Sequence, residues 1–311
     1  MEEKLIIRLS NNLGNQMFMF AAGYATSKLM NRNFYIDNLS SYKSRKNIYT
    51  YALNGFKIPS NITTSQDIFV KFNGYIRRKF KKKIDPFLKK KSFILEKYYN
   101  DKETKFTKIN INQPYNKTVY MEGYFESEKY FSDYKKDLID IFTPKKKSTF
   151  QNNKYYHDIV SQESVSFCLR QDRFSEKYRN ISNLDRDKSR IFLEEQVLFI
   201  FNAIEYFKKK LKSPSFYLWS NNFKNLKNIF KNHNVTFVDN YNTSNNIDKM
   251  HLDLYLMTNC KHFAVIPSAF NWWGAWLSNN SNKLIVRPNN NYFKHLKIKN
   301  EDYWPIDWIS L

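Results

Sequence analysis

Apolar runs that predict buried strands alternate with segments of helical periodicity through the second half of the chain. The strands are predicted at 164–169, 216–219, 235–238, 262–266 and 283–286. The helices are predicted at 189–211, 222–231, 247–258 and 268–278. This repeated alternation predicts a doubly wound parallel sheet, in which ligands bind beyond the carboxyl ends of the strands.

The first half of the chain opens with a similar strand, helix and strand. A strand predicted at 4–9 is followed by a polar turn that contains Gly14, then by a helix and a second strand at 34–37. The turn carries one glycine, so the Gly-x-Gly-x-x-Gly fingerprint of a dinucleotide site is absent. The pattern weakens after residue 38, where we expect a further strand at 119–125 and a helix that ends at Phe142.

A polar, proline-containing stretch at 143–149 predicts a domain boundary. The length of 311 residues is sufficient for two domains with separate cores. We therefore expect an N-terminal α/β domain over 1–150, with a basic insertion at 71–97, and a C-terminal Rossmann-like domain over 151–311.

The formal net charge of +22 raises the question of an anionic partner. The richness in lysine, asparagine and isoleucine is what an AT-rich genome imposes, so we expect no nucleic-acid partner. In the basic insertion, however, apolar residues are interleaved with the lysines. That pattern is typical of a solvated structural face, or of a surface that contacts an anionic membrane or glycan.

The remaining composition indicates a soluble protein without a metal. No apolar run reaches the ~20 residues of a membrane helix, and the start Met-Glu-Glu-Lys lacks a signal-peptide pattern. We expect a cytoplasmic location, with peripheral contact at the inner membrane face as the alternative. Cys168 and Cys260 are far apart and have no zinc-ligand spacing, and Asp185-Arg-Asp187 is expected to be a charged loop that enters a helix.

Polar residues follow the predicted strands of the second half, where a ligand is expected. Arg170 and Arg173 lie within four residues of sequence at a strand end, in a chain with few arginines, and predict an anion clamp. Ser268 is the expected N-cap of a helix, whose free N–H groups favour a phosphate. Ser220, Asn221 and Asp239 follow two other strands and are expected to converge on the same crevice.

Four segments of this chain, in order, resemble motifs of glycosyltransferase family 11, the bacterial and animal α-1,2-fucosyltransferases. They are Leu13-Gly-Asn-Gln-Met-Phe, Glu122-Gly-Tyr-Phe-Glu-Ser-Glu-Lys-Tyr-Phe, Asp253-Leu-Tyr-Leu-Met-Thr-Asn-Cys-Lys-His and Ser268-Ala-Phe-Asn-Trp-Trp-Gly-Ala-Trp-Leu. Each motif alone is weak, but the four together span nearly the whole chain and are specific.

The resemblance implies a GT-B-like fold of two facing Rossmann-type α/β domains, the N-terminal one on the acceptor side and the C-terminal one binding the nucleotide sugar. It implies inverting transfer of fucose from GDP-fucose to a galactoside hydroxyl in an α-1,2 linkage, without a metal, in lipopolysaccharide or O-antigen synthesis. Oligosaccharide or glycolipid acceptors are the expected partners, and Arg170 and Arg173 are the expected catalytic residues. Donor contacts are expected from Asn12, Gly14, Asn15, Gln16, Ser220, Asn221, Asp239, Ser268, Ala269 and Phe270.

Two segments depart from the family pattern. Cys168-Leu-Arg-Gln-Asp-Arg-Phe174 stands where the family reads His-x-Arg-Arg-Gly-Asp-Tyr, and Trp219-Ser-Asn-Asn stands where relatives often read Phe-Ser-Asp-Asp. Arg173 is expected to replace the lost second arginine, since residues 171 and 173 point the same way on an extended backbone. The departures leave two alternatives open, namely a sister transferase with another nucleotide sugar, and an inactive protein that binds a glycan or an anionic surface.

The sequence does not identify a general base. Asp37 and Glu122 are candidates because each lies at a strand end or turn, although structural roles are expected for both.

Overall fold

The computed structural model describes residues 2–42, 49–59, 61–63, 67–69, 71–96, 98–99, 103–175, 181–240, 246–294 and 300–311. The chain forms two compact units. Unit 1 comprises Met1–Thr143 and Lys299–Pro305, and unit 2 comprises Pro144–Ile298 and Ile306–Leu311. The roles that the sequence assigns to two domains, on the acceptor side and the donor side, remain predictions.

Unit 1 is built on a parallel sheet. Its elements in chain order are β1 (Lys4–Arg8), α1 (Leu13–Leu29), β2 (Asn33–Asp37), β3 (Asn61–Ile62), α2 (Lys71–Ile84), β4 (Lys91–Leu95), β5 (Tyr98–Tyr99), β6 (Glu103–Thr104), β7 (Tyr115–Glu122) and α3 (Lys135–Ile141). The sheet order is β3-β2-β1-β7-β4, and every neighbouring pair is parallel. A separate antiparallel pair joins β5 to β6.

The sequence explains the central position of β1. Its residues Leu5, Ile6 and Ile7 are buried, as expected for an inner strand of a parallel sheet whose two faces are both covered. Helix α1 follows directly and is buried over most of its length. Beyond β2, the edge strand β3 pairs over two residues only.

Unit 2 is also built on a parallel sheet. Its elements are α4 (Lys147–Gln151), α5 (Tyr156–Ser161), β8 (Glu163–Leu169), α6 (Asn183–Lys210), β9 (Pro214–Ser220), α7 (Leu226–Ile229), β10 (Val235–Phe237), α8 (Asn246–Thr258), β11 (His262–Ala264), α9 (Ala269–Trp276), β12 (Ile285–Arg287) and β13 (Ile309–Ser310). Between β12 and β13 the chain contributes α10 (Asn300–Tyr303) to unit 1. The sheet order is β10-β9-β8-β11-β12-β13.

The doubly wound parallel sheet predicted for the second half is confirmed, because all neighbouring strands of unit 2 are parallel. Val165, Phe167 and Leu169 on β8 belong to the same buried cluster as Phe199 and Phe207 on α6. The alternate residues of β8 are buried as well, so both faces of this central strand are covered.

Several predicted boundaries were wrong. The helix expected over 222–231 is reduced to α7, which is preceded by Asn225 in the left-handed region at φ 64°. The helix expected from 189 begins at Asn183, because Ser182 and Asp185 form a capping box there. The pattern also missed β4, which lies in the basic insertion, and the two-residue edge strand β13.

Candidate active site

The strand order of unit 2 reverses between β8 and β11. β8 is followed by β9 and β10 on one side, and β11 by β12 and β13 on the other. Open α/β sheets bind ligands in the crevice outside the carboxyl ends of the strands at such a reversal, the topological switch point. Residues 170–173 follow β8 and residues 265–268 follow β11, so the predicted anion-binding residues flank the switch point of unit 2.

Arg173 connects the two strand ends at this switch point. Its Nη1 donates a hydrogen bond to the carbonyl oxygen of Pro267 at 2.8 Å. Its Cζ lies 4.8 Å from the centroid of the buried Phe192 ring. A guanidinium has five N–H donors and can serve a main-chain carbonyl and an anion at the same time.

The side chain of Gln171 extends toward β9, on the opposite side of β8 from β11. Its Nε2 donates to the carbonyl oxygens of Asn222 and Lys224, which follow β9. The expectation that residues 171 and 173 point the same way is therefore wrong. The reason is Asp172, whose φ of 55° interrupts the extended backbone on which that expectation depended.

Asn221 ties the end of β9 to the end of β8. The Gln171 N–H donates to Asn221 Oδ1 at 2.8 Å, and Asn221 Nδ2 donates to the Gln171 carbonyl oxygen at 3.1 Å. Ser220 is buried and serves the adjoining turn, where its Oγ donates to the Asn222 carbonyl at 2.6 Å. Any donor contact by Ser220 or Asn221 has to coexist with these bonds and stays a prediction.

The main chain of Arg170 is held by a residue that the sequence analysis missed. Gln196, on α6 and completely buried, accepts from the Arg170 N–H at 2.9 Å and donates to the Arg170 carbonyl at 3.1 Å. Its Nε2 also donates to the Phe192 carbonyl. The only signal in the sequence is a single amide in an apolar helical stretch, and this does not show that the amide reaches a strand end 26 residues away.

Asp239 follows the edge strand β10, and it is exposed. Strands in a sheet are ~4.8 Å apart, so β10 lies about 10 Å from β8. The Asp239 N–H donates to the Tyr155 hydroxyl. The adjacent Asn240 is instead buried and donates to Asp253 on α8 at 2.7 Å. The structure thus does not place Asp239 among the residues at the switch point.

Helix α9 begins directly at the switch point. Ser268 occupies its N-cap position without a side-chain cap bond, and Ser268, Ala269 and Phe270 are half-buried. The incoming loop is held by the buried Asn271, whose Oδ1 accepts from the Ile266 N–H at 2.8 Å. The first turn of α9, with its partial positive charge, therefore lies beside the carbonyl that accepts from Arg173.

The indole rings of α9 belong to the core. Trp272, Trp273 and Trp276 are nearly inaccessible. The centroid of Trp272 lies 5.0 Å from that of Trp273 and 5.5 Å from that of Trp308. These side chains fix the position of the helix and do not line a ligand site.

In unit 1 the strand order reverses between β1 and β7, and two of the sequence motifs meet there. Asn15, in the first turn of α1, donates from Nδ2 to Glu126 Oε1. Asn11, which precedes the helix at φ 66°, donates from Nδ2 to the Tyr124 hydroxyl at 3.2 Å. The loop after β1 and the turn after β7 are thereby joined at the carboxyl edge of the sheet.

Gln16 has a structural role in place of the donor contact expected from the sequence. It is completely buried, its Nε2 donates to the carbonyls of Asn11 and Thr50, and its Oε1 accepts from the Ala52 N–H. Gly14 is also buried, whereas Asn12 is exposed at the N-cap position of α1.

Glu96 supports the turn after β7 and was also missed. Its buried carboxylate accepts from the N–H groups of Tyr124 at 2.6 Å and Phe125 at 2.9 Å. Gly123 is required for this approach. At φ 157° it lies so close that a Cβ added to it would be 2.3 Å from the Cβ of Glu96.

Neither candidate for the general base is suited to that role. Burial alone would raise the pKa of Glu122, but ion pairs with Arg78 and Lys82 outweigh burial and hold that pKa below its usual range. Asp37 is buried, and its carboxylate accepts from the N–H groups of Leu39 and Ser40. Both carboxylates stabilise the strand ends, which are the structural roles expected from the sequence.

A sequence profile described as glycosyl transferase family 11 matches residues 1–311, which is the whole chain. The chain belongs to glycosyl transferase family 11. Two curated relatives from Escherichia coli are similar over nearly their full lengths. An α-1,2-colitosyltransferase is 28% identical over 313 residues, covering 99% of this chain and 98% of the relative. The O-antigen biosynthesis glycosyltransferase WbnK is 24% identical over 300 residues, covering 90% and 92%.

Solved structures of fucosyltransferases share the fold. The NodZ α-1,6-fucosyltransferase co-crystallised with GDP aligns with a TM-score of 0.53 at 14% identity, covering 93% of this chain and 96% of NodZ. A point mutant of Arabidopsis thaliana FUT1 in complex with GDP aligns with a TM-score of 0.51 at 12% identity, covering 98% of this chain and 75% of FUT1. The family 11 protein is therefore a glycosyltransferase with an α/β, GT-B-like fold.

Cys168 occupies the position where the family motif has histidine. Burial, followed by the charge of Asp253, raises the pKa of its thiol to about 12. A thiol with that pKa is neutral near pH 7, so Cys168 offers neither the charge nor the basicity of the histidine it replaces.

Acidic residues of the described segments do not form an evident metal centre. Among those segments, His, Cys, Asp and Glu do not gather in groups of three or more that could hold an ion. Asp185 and Asp187, which were expected in a loop, lie at the start of α6, where Asp185 pairs with Ser182. No helix of the described ranges has the length and hydropathy of a membrane span.

Proposed function

We propose that this family 11 glycosyltransferase is an inverting enzyme that transfers fucose from GDP-fucose to the 2-hydroxyl of a galactoside in surface-glycan synthesis. The family and the fold support the reaction class. The α-1,2 linkage is supported by the name of the colitosyltransferase relative, and an O-antigen acceptor by that of the second relative.

The observation that carries the proposal is the hydrogen bond between Arg173 and Pro267 across the switch point of unit 2. It fixes a guanidinium beside the N-terminus of α9, where a pyrophosphate can accept from arginine and from main-chain N–H groups. Arg170, at the end of β8, is the second cation. We assign both arginines to the stabilisation of the departing GDP.

In the proposed reaction the acceptor hydroxyl oxygen attacks C1 of fucose from the face opposite the phosphate. The bond from C1 to the β-phosphate oxygen breaks, its electron pair leaves with GDP, and the hydroxyl proton passes to a base. Charge develops on the β-phosphate oxygen, and guanidinium donors that are already positioned stabilise it most in the transition state. Because arginines can supply the positive charge that stabilises the departing phosphate, we expect turnover in the presence of a metal chelator.

GDP-colitose is the second candidate donor, and the α-1,2-colitosyltransferase relative favours it. Colitose is fucose without its 3-hydroxyl, so the two donors share GDP and the reacting carbon. Discrimination between them therefore depends on a contact to one hydroxyl, and a site built to pair with that hydroxyl would reject the deoxy sugar.

Transfer assays with GDP-fucose, GDP-colitose, GDP-mannose and UDP-galactose would test the proposal, with a β-galactoside acceptor and NMR of the product. The proposal predicts an α-1,2-linked 6-deoxy sugar from one or both of the first two donors. Arg173→Gln should lower turnover about a hundredfold, whereas Arg190→Gln on the exposed face of α6 should not. Product formed with UDP-galactose alone, or no product with any of the four donors, would overturn the proposal.

A further inference from the structure

Helix α2 presents its apolar side chains to solvent. Phe72 is 75% exposed, Phe80 is 62% exposed and Ile76 is 49% exposed. These residues are four positions apart, so they lie on one face of the helix. Tyr75, on the same face, is 53% exposed. A helix of a globular domain normally buries such a face against the core, and α2 does the reverse.

Two basic side chains of α2 point toward the rest of unit 1. Arg78 and Lys82, one helical turn apart, both donate to the buried carboxylate of Glu122 at the end of β7. Gly74, one turn earlier, lies so close to the chain at Phe69 that an added Cβ would be 2.8 Å from the Phe69 carbonyl carbon. The ion pairs and this close approach fix the orientation of the helix, so the apolar face is held outward.

The turn after α2 displays two further apolar residues. Phe87 is 88% exposed and Leu88 is 41% exposed. The turn is not loose, because Lys91 donates from Nζ to the carbonyls of Asp85, Pro86 and Leu88. These apolar side chains are therefore held in solvent by a defined local structure.

The positive charge of α2 indicates what kind of partner its apolar face contacts. The sequence of α2 is KFNGYIRRKFKKKI, which contains seven basic residues and no acidic one. Lys79 and Lys83 lie on the same face as Ile76 and Phe80 by helical spacing, and both are exposed. Aromatic side chains interleaved with lysines, on a helix with no acidic residue, fit the headgroup region of a negatively charged bilayer.

We propose that α2 and the following turn form a docking surface for an anionic membrane. The α2 surface comprises Phe72, Tyr75, Ile76, Phe80, Phe87 and Leu88 with the exposed Lys79 and Lys83. The apolar rings enter the boundary between headgroups and acyl chains, while the lysine stems extend along them to the phosphates. Docking of this kind requires neither donor nor acceptor, and it would hold the enzyme where lipid-linked acceptors are found.

Sedimentation of the full chain with two kinds of vesicle tests this proposal directly. Vesicles of phosphatidylcholine with 30% phosphatidylglycerol should bind the protein, and vesicles of phosphatidylcholine alone should bind it at least tenfold more weakly. Binding should weaken in 0.5 M salt, because screening removes the attraction of the lysines. Absence of binding to the phosphatidylglycerol vesicles at low salt would overturn the proposal.

Variants separate the α2 surface from the general basicity of the chain. The double variant Phe72→Ser/Phe80→Ser should lose at least tenfold in binding, while the control Leu184→Ser/Leu198→Ser, with similarly exposed side chains on α6, should retain it. Lys79→Gln/Lys83→Gln should lose about fivefold for each lysine. Equal losses in both serine variants would contradict a localised docking surface.

Light scattering without lipid distinguishes the rival occupant, a second copy of this chain. The proposal predicts a mass that does not respond to Phe72→Ser/Phe80→Ser. A dimer that this variant dissociates, in a protein that does not bind vesicles, would assign the α2 surface to self-association instead. Failure of the donor assays would leave the vesicle result unchanged, so the two proposals can fail separately.

Discussion

Arg173 and Pro267 are joined by a hydrogen bond of 2.8 Å from the guanidinium Nη1 to the main-chain oxygen. The two residues are 94 positions apart and follow β8 and β11, the strands between which the sheet order of unit 2 reverses. The bond fixes a cation at the place where an open parallel sheet binds its ligand. The bond also joins residues 170–173 to the turn that precedes α9.

Arg173→Lys should reduce kcat/KM by about tenfold or more, although it preserves the charge. Lysine is a point charge without the planar fork, and it cannot bind the Pro267 carbonyl and a phosphate in the same geometry. Steady-state kinetics with the preferred GDP-sugar would measure the loss, and unfolding in urea would show whether the fold is intact. Full activity of the lysine variant would show that the fork is dispensable.

Gln196→Met should destabilise the protein by about 2 kcal/mol and weaken donor binding. Methionine fills a similar volume but leaves the N–H and carbonyl of Arg170 without the bonds seen to Gln196. Urea unfolding reports the first effect and calorimetric titration with GDP the second. A stability loss with unchanged GDP affinity would assign Gln196 to the fold alone.

The sequence predicts the strands that carry the site because they are apolar runs bounded by turns. β8, β9 and β11 lie close to their predicted positions, and the arginines follow β8 as expected. The direction of Gln171 and Arg173 could not be predicted, because it depends on one positive φ at Asp172. A local pattern of apolar and polar residues does not predict a positive φ at a single non-glycine residue.

Gln196 and Glu96 illustrate a second limit on prediction from sequence. Each is a buried polar side chain that bonds main-chain groups 26 to 29 residues away. In the sequence, Gln196 is an isolated amide in a helical stretch, and Glu96 lies among the lysines of the basic insertion. The outward apolar face of α2 was visible as a pattern, but its orientation depends on the ion pairs with Glu122.

Glu122→Gln should destabilise the protein by about 3 kcal/mol at pH 7, because it leaves Arg78 and Lys82 without their buried counter-charge. The pKa of Glu122 is lowered in the folded protein from an ordinary value of 4.5. The stabilisation is therefore fully present above pH 4.5 and is lost as the pH falls through the folded-state pKa.

The difference in unfolding free energy between wild type and Glu122→Gln should accordingly be constant near neutral pH and shrink in acid. Urea unfolding at several pH values between about 3 and 7 would measure it. A difference that does not change with pH would show that Glu122 acts through shape and not through its charge.

Gly123→Ala should destabilise unit 1 by at least about 2 kcal/mol. The added methyl would lie 2.3 Å from the Cβ of Glu96, at a φ of 157°, so the turn after β7 would have to move. Loss of the hydrogen bonds from Tyr124 and Phe125 to Glu96 should follow, and hydrogen exchange of those two amides would detect it. Wild-type protection of both amides in the variant would refute this account of the turn.

Calorimetric titration of GDP, and separately of UDP, into wild type, Arg173→Gln and the control Arg190→Gln tests the assignment of the switch point most directly. We expect GDP to bind the wild type and the control alike, Arg173→Gln to lose about tenfold or more in GDP affinity, and UDP to bind weakly to all three proteins. Equal affinity of GDP for wild type and Arg173→Gln would contradict the assignment of the donor phosphates to this guanidinium.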